Sequence, residues 1–386
     1  MLTTGGTIAE NVALSGARHD NRAVPTGGLA AAPQLPGNVL SADPESFDEG
    51  LLVEALASTA QHLKDDWNVA VEIDPQCIDD VDSSDIVPEH WVELSEVIYR
   101  NYDDYDGFIV THGTNTLGYT CAALSFALDN LGKPVVVTGS QVPYGLPGSD
   151  ALINLENALR VALYPHGTRV RGVICVFGSH IIAGTRVKKS TEFDLDAFAP
   201  FSGSSLGRIG RTIDLNEANL IRHHQYLERS GTPAAVLRRD LVLKPNFDMR
   251  ILSFTEFPGM SEEVFKIGLE GLIERDEPLI RALMFRAFGA GDASRHLRPC
   301  FEYLKEREVP IIVMTQAPSG TANFRVNRPG KELGELGLAI PAHDMSIEAA
   351  TTKLAWLLAQ DVGYAQMGRM MEEDLHGEIS LSGMAG

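Results

Sequence analysis

Phe108-Ile-Val-Thr-His-Gly-Thr-Asn-Thr-Leu-Gly-Tyr-Thr-Cys121 changes character part-way along. Up to Thr111 it is a short β-branched and apolar run, as in a buried strand. From Leu117 the apolar residues are Leu117, Cys121, Leu124, Leu128 and Leu131, the spacing of a helix face, and Gly132-Lys-Pro134 closes it. A strand running into a helix is half of a βαβ unit, and the same grammar recurs nearby. Pro134-Val-Val-Val-Thr-Gly139 and Gly172-Val-Ile-Cys-Val-Phe-Gly178 read as further strands. Helical patterns at 89–103, 117–131 and 151–163 alternate with them. The expectation is an α/β fold whose larger N-terminal domain holds a mainly parallel sheet flanked by helices.

A second series follows residue 250. Arg250-Ile-Leu-Ser-Phe-Thr-Glu-Phe257, Ala282-Leu-Met-Phe-Arg-Ala-Phe288 and Val309-Pro-Ile-Ile-Val-Met-Thr315 read as buried strands, with helices near 261–274, 294–307 and 345–359. This is a smaller C-terminal α/β domain. Between the series, residues 202–249 carry Ser-Gly turns, Arg-rich stretches and Pro233 and Pro245, which reads as a hairpin and linker. The expected division is 1–230, a linker at 231–250, and 251–386. Residues 9–50, rich in Gly, Ala, Asn and Pro, read as a long mobile loop.

The chain has 386 residues, a formal charge of −20 and 44% hydrophobic residues, enough to bury real cores. Between Asp43 and Asp106 there are 19 Asp and Glu against only Lys64 and Arg100, so one stretch carries most of the charge. An acidic chain is a poor partner for nucleic acid or anionic membrane. Cys77, Cys121, Cys175 and Cys300 are scattered without a CxxC pair, so no disulfide framework is expected. The opening MLTTGGTIAE has no secretory pattern and no window of 18 apolar residues exists, so a cytoplasmic location is expected.

Three segments carry chemistry. In Thr4-Gly-Gly-Thr-Ile8 the paired glycines let backbone N–H groups approach a ligand, and Thr7 adds a hydroxyl; taken alone, a plain tight turn is the better account of the glycines. His112-Gly-Thr-Asn-Thr116 sits where strand gives way to helix, the edge at which open α/β sheets bind ligands. Helix capping by Thr or Asn is the competing account. In Lys188-Lys-Ser-Thr191 a lysine whose pKa is lowered by burial can act as a base toward a hydroxyl. GxGxxG and GxxxxGK[ST] are absent, which argues against dinucleotide or P-loop sites, and the histidines lack the HExxH spacing of zinc hydrolases.

Together the chain resembles the bacterial-type L-asparaginases, in particular the cytoplasmic type I branch. The resemblance rests on Thr4-Gly-Gly-Thr-Ile-Ala9, Asp82-Ser-Ser-Asp85, Tyr102-Asp-Asp-Tyr-Asp-Gly-Phe108, His112-Gly-Thr114 and Leu131-Gly-Lys-Pro-Val-Val-Val-Thr-Gly-Ser-Gln141, then Phe257-Pro-Gly259, Thr315-Gln316 and Asp344-Met-Ser-Ile-Glu-Ala349. It implies an amidohydrolase that releases ammonia from a small-molecule amide through a covalent acyl-enzyme, with no metal and no cofactor. It also implies a homodimer or homotetramer whose sites are completed by a neighbouring subunit. On the matching positions Thr7 is the nucleophile and Thr114 activates water or shares nucleophilic work with Lys189. Ser83, Ser84, Gly113 and Asn115 are the substrate-binding positions, and backbone N–H groups around the two threonines form the oxyanion hole.

The departures from the family pattern are specific. Its second motif has Asp where this chain has Asn115. Its mobile-loop Tyr has no counterpart between Thr7 and Tyr99, so His19 or Arg22 substitutes for it or nothing does. The strand before the first motif is nearly missing. Gly289-Ala-Gly-Asp292 stands where an Asn commonly reaches a neighbouring site, and Ala317 replaces a cysteine associated with allosteric control. Three readings follow. They are an asparaginase, a hydrolase of another amide (an N-blocked asparagine, a peptide or a cyclic imide), and a non-catalytic oligomeric scaffold. The archaeal tRNA-dependent amidotransferase subunit is a more distant relative, and nothing basic here recommends a tRNA partner.

Overall fold

A computed structural model describes residues 1–3, 49–164, 170–227 and 240–380. In the first half, strand β1 (Leu2–Thr3) is followed by α1 (Glu49–Trp67), β2 (Gln76–Cys77), α2 (Pro88–Arg100), β3 (Phe108–Thr111), α3 (Leu117–Ala127), β4 (Leu128–Asp129), β5 (Pro134–Thr138) and α4 (Ala151–Ala162). Then come β6 (Gly172–Phe177), β7 (His180–Ala183), β8 (Val187–Lys189), β9 (Phe198–Pro200), β10 (Gly207–Ile209), β11 (Ile213–Leu215) and α5 (Glu217–Leu227).

The large sheet has eight strands in the order β11-β10-β7-β6-β5-β3-β1-β2. From β2 to β6 all pairings are parallel; β7, β10 and β11 are antiparallel. The sheet is therefore mixed. The antiparallel strands lie at one edge, because Gly178-Ser179 turns β6 straight back into β7 with no crossover helix. β1 is short and lies between β3 and the edge strand β2, with Leu2 beside Gln76 and Val110, and Thr3 beside Cys77 and Thr111.

Side-chain alternation puts a separate core on each face. Phe108, Val110, Val135, Val137, Val173 and Cys175 pack with Leu94 and Ile98 of α2 and Leu117, Cys121 and Leu124 of α3. Ile109, Val136, Ile174 and Val176 pack on the other face with Leu56 and Leu63 of α1 and Leu155 and Leu159 of α4. Helices cover both faces, so the strands read as continuous apolar runs.

The second half holds β12 (Val242–Leu243), β13 (Ile251–Thr255), α6 (Glu262–Ile273), β14 (Ala282–Ala287), α7 (Arg298–Glu306), β15 (Ile311–Thr315), α8 (Arg328–Glu335), β16 (Ile340–Pro341), α9 (Ile347–Ala359) and α10 (Tyr364–Glu372). Strands β13-β14-β15-β16 form a four-stranded parallel sheet in sequence order. β14 and β15 are buried as expected, but β13 is an edge strand with a half-exposed pattern. Ile251 packs partly against the core shared with α9 and Leu252 and Phe254 partly against the core on the other face, so its exposure comes from its place at the sheet edge.

Two further differences have physical causes. The helix expected over 117–131 stops at Ala127, because Leu128–Asp129 pairs antiparallel with Val242–Leu243. The stretch 202–249 contains the hairpin β10–β11 but also α5, whose polar sequence Glu-Ala-Asn-Leu-Ile-Arg-His-His-Gln-Tyr-Leu hides the helical period. The expected mobile loop at 9–50 lies almost wholly outside the described residues.

The two halves share a core through α3, which is buried nearly all round. Ala122 and Phe126 belong to one cluster with Leu354 and Leu357 of α9, and Phe126 stacks on Trp356 with ring centroids 6.0 Å apart. Arg186 reinforces the seam. Its Nη1 donates to the Glu378 carbonyl at 2.7 Å and its Nη2 to Asp344 Oδ2 and the Ser202 carbonyl, each at 2.8 Å.

Buried imidazoles give stability a pH dependence of definite sign. Burial pushes His112 and His223 down to about 4, so the folded protein holds both neutral. The unfolded chain takes up their protons first, so stability is complete above about 6.5 and falls as pH drops toward 4. Chemical denaturation between pH 7.5 and 4.5 should show that loss, with a limiting slope of about 1.4 kcal/mol per pH unit for each histidine. A flat profile would contradict it.

Candidate active site

The carboxyl end of β3 opens the site. His112 follows Thr111 and donates its backbone N–H to the Thr138 carbonyl at 2.9 Å, joining the ends of β3 and β5. Asn154, fully buried on α4, ties in the neighbouring strand ends. It donates to the Gly139 carbonyl at 2.9 Å and accepts from the Gly178 N–H at 3.0 Å.

Gly113 is glycine for want of space, since a Cβ there would lie 2.6 Å from Ser83 Oγ and 2.7 Å from Ser83 Cβ. Gly113→Ala should displace Ser83, which is buried, and destabilise the fold by about 1–3 kcal/mol with a parallel loss of turnover. A denaturation midpoint and a turnover assay read both; unchanged values would contradict the close approach.

Thr114 is half-buried and its hydroxyl accepts a hydrogen bond from Lys189 Nζ at 2.9 Å. Lys189 ends β8, fixed against Phe198 of β9. Its Nζ also donates to Asn115 Oδ1 at 3.4 Å, and Asn115 Nδ2 donates to Ser84 Oγ at 3.1 Å. Burial lowers the Lys189 pKa below its ordinary value, against a smaller upward pull from Glu192. Helix capping does not explain this segment. Thr116, at the start of α3, makes no side-chain cap and donates its hydroxyl to the Ser83 carbonyl at 2.6 Å.

Thr114, Lys189, Asn115, Gly113, Ser83 and Ser84 thus converge from β3, β8 and the turn at Ser83–Asp85. Ser83 is buried against Gly113, and Ser84 is the exposed hydroxyl of the pair. Thr7, His19 and Arg22 lie outside the described residues.

Three contributors lie in the quoted motifs but were given no role by sequence reasoning. Asp82 accepts the Ser84 N–H at 2.7 Å, a bond that lowers its pKa and shapes the serine turn. The turn signal Asp-Ser-Ser was there to be read. Glu348 of α9 pairs with Lys188 at 2.8 Å, leaving Lys189 alone to face Thr114. His112 is hydrogen-bonded at both ring nitrogens.

The N-terminal asparaginase family model matches residues 1–220, and the glutaminase/asparaginase C-terminal domain model matches residues 250–371. The chain belongs to the asparaginase family. L-asparaginase 1 of Escherichia coli K12 is 35% identical over 305 residues, covering 78% of this chain and 82% of the relative. The thermostable L-asparaginase from Thermococcus kodakarensis superimposes with a TM-score of 0.74 at 28% identity, covering 98% of each chain. L-asparaginase I from Vibrio cholerae does so at 0.72 and 29%, again over 98% of each. The fold is the asparaginase-like two-domain α/β arrangement, and the protein is an amidohydrolase of that type.

Proposed function

We propose that the protein hydrolyses a small carboxamide, with L-asparagine the first substrate, through a threonine nucleophile, and that Thr114 and Lys189 move the protons. The single observation that carries the reading is the 2.9 Å contact between Lys189 Nζ and Thr114 Oγ1, with the lysine's pKa lowered. A neutral Lys189 accepts the Thr114 proton as the Thr114 oxygen takes one from the attacking hydroxyl. The resulting ammonium returns a proton to the leaving amine as the tetrahedral intermediate collapses. In the second half-reaction the same pair deprotonates water, which cleaves the acyl ester.

Thr7 serves as nucleophile in this reading. Its support is the Thr4-Gly-Gly-Thr7 sequence and the position of β1, whose Thr3 lies beside Thr111 at the edge where His112-Gly-Thr114 leaves β3. Ser83, Ser84, Gly113 and Asn115 shape the substrate's binding side. The reading includes domains at 1–230 and 251–386 joined by 231–250, a cytoplasmic location, and a homodimer or homotetramer. Among the described residues no helix is long and apolar enough to cross a membrane.

Asn115 favours a second substrate reading. Its amide is held with oxygen toward Lys189 and nitrogen toward Ser84, so a neutral group stands where a carboxylate would grip an α-ammonium. Such a site discriminates less against an N-blocked asparagine. Ammonia release from L-asparagine and from N-acetyl-asparagine separates the two, and release from neither would end both. Asn115→Asp should raise the kcat/KM ratio of free over blocked substrate by about tenfold to a hundredfold, the worth of one charge-assisted contact. An unchanged ratio would remove Asn115 from substrate selection.

A further inference from the structure

His112 is fully buried and its two ring nitrogens have partners of different kinds. Nδ1 lies 2.7 Å from the Gly113 carbonyl oxygen and Nε2 lies 2.8 Å from Thr120 Oγ1. Thr120, one turn into α3, also receives the indole N–H of Trp91 on α2 at 3.1 Å. The proton positions follow from what each group can do. A carbonyl only accepts, so Nδ1 carries the hydrogen. The buried ring is neutral and has one N–H, so Nε2 is bare and accepts the Thr120 hydroxyl. That leaves the Thr120 oxygen to accept from Trp91, since an indole N–H only donates. The chain has one direction, from Trp91 through Thr120 and His112 to the Gly113 carbonyl.

The end of that chain is the peptide that presents Thr114. Gly113 C=O and Thr114 N–H belong to one planar unit, so holding the carbonyl fixes the N–H as well. Gly113 has no side chain to resist rotation and is glycine because Ser83 fills the space. We propose that His112 is a positioning residue: its Nδ1–H, kept in that tautomer by Thr120 and Trp91, sets the rotation of the Gly113–Thr114 peptide and so the placement of the Thr114 hydroxyl against Lys189. The inference rests on the reading of Thr114 and Lys189 as the proton-moving pair, but its geometry is measurable without turnover.

Nitrogen-15 NMR of the full-length protein labelled at histidine should show His112 as the Nδ1–H tautomer near neutral pH; an Nε2–H tautomer would overturn the proposal. Thr120→Val keeps the shape and removes the hydroxyl. It should shift the Thr114 amide resonance and lower kcat by about tenfold to a hundredfold with little change in KM, as expected for a misplaced reacting group. Thr120→Ser should restore both. A Thr114 resonance that does not respond, or a kcat equal to the parent's, would overturn it. Should Thr120→Val fail to fold, Trp91→Phe removes the upstream donor and is read the same way. A parent without turnover on any amide defeats the proposed function, while the tautomer and the Thr114 resonance still decide the positioning role.

Discussion

Lys189→Met is expected to lower amide turnover by about 10³-fold, about 4 kcal/mol of transition-state stabilisation, and to leave the fold intact. Methionine matches the lysine stem in length and keeps its packing, so only the nitrogen is lost. That nitrogen's hydrogen bonds are to Thr114 and Asn115, so their loss costs the scaffold little. Thermal unfolding should therefore stay close to the parent, as for other substitutions away from a core. Lys189→Arg should not rescue activity, because a guanidinium does not give up its proton near neutral pH. The parent's pH profile carries the same signature. A base must be neutral, so activity rises with pH through the Lys189 pKa and levels off below the ordinary lysine value of 10.5. Turnover of Lys189→Met within tenfold of the parent would show that the lysine is not the base.

The largest expected effect on stability comes from the other half of the molecule. Lys353 and Glu378 are both fully buried, with Nζ 2.6 Å from Oε1. The pair is fully equipped with partners. Lys353 donates to the Met371 and Glu373 carbonyls, while Glu378 accepts the backbone N–H groups of Leu375 and His376 at 2.9 and 2.6 Å. Lys353→Met leaves a carboxylate without its counter-ion in the interior, which should cost about 3–5 kcal/mol. Adding Glu378→Leu should recover much of that loss, because the second change removes the stranded charge. Burial alone would raise the Glu378 pKa, but the Lys353 charge and the backbone donors outweigh it and hold it low. The sign is opposite to that of the histidines. The Glu378 contribution is complete above its ordinary pKa and is lost only as pH falls well below it. A double variant no more stable than Lys353→Met would show that the pair is not acting as a unit.

The parts of this structure that local pattern could reveal were legible in the sequence. β3, β5 and β6 are continuous apolar runs because helices cover both faces, and β3 and β5 end on Thr111 and Thr138. Thr114, Lys189, Ser83, Ser84, Gly113 and Asn115 were named through the family resemblance, and the structure brings these six together, while Thr7 lies outside the described residues. What escaped depends on contacts between distant segments. α5 is polar on all but one narrow stripe, with Leu220 and His223 buried, so no period announces it. β13 has the composition of a buried strand, and only its place at the sheet edge exposes it. His112 meets Thr120 one turn along α3, Thr120 in turn meets Trp91 on a separate helix, and Lys188 finds Glu348 in the other half of the chain. No spacing rule links such residues. The neutral Asn115 was visible at once, but its fixed amide orientation needed Lys189 and Ser84 in place.

The most direct test is the initial rate of ammonia release from L-asparagine and N-acetyl-asparagine by the full-length parent and by Thr114→Val. Turnover of at least one amide by the parent is expected, with a loss of about 10³-fold on removing the hydroxyl that faces Lys189. A Thr114→Val protein that releases ammonia as fast as the parent would contradict the assignment of Thr114 and Lys189 as the pair that moves the protons.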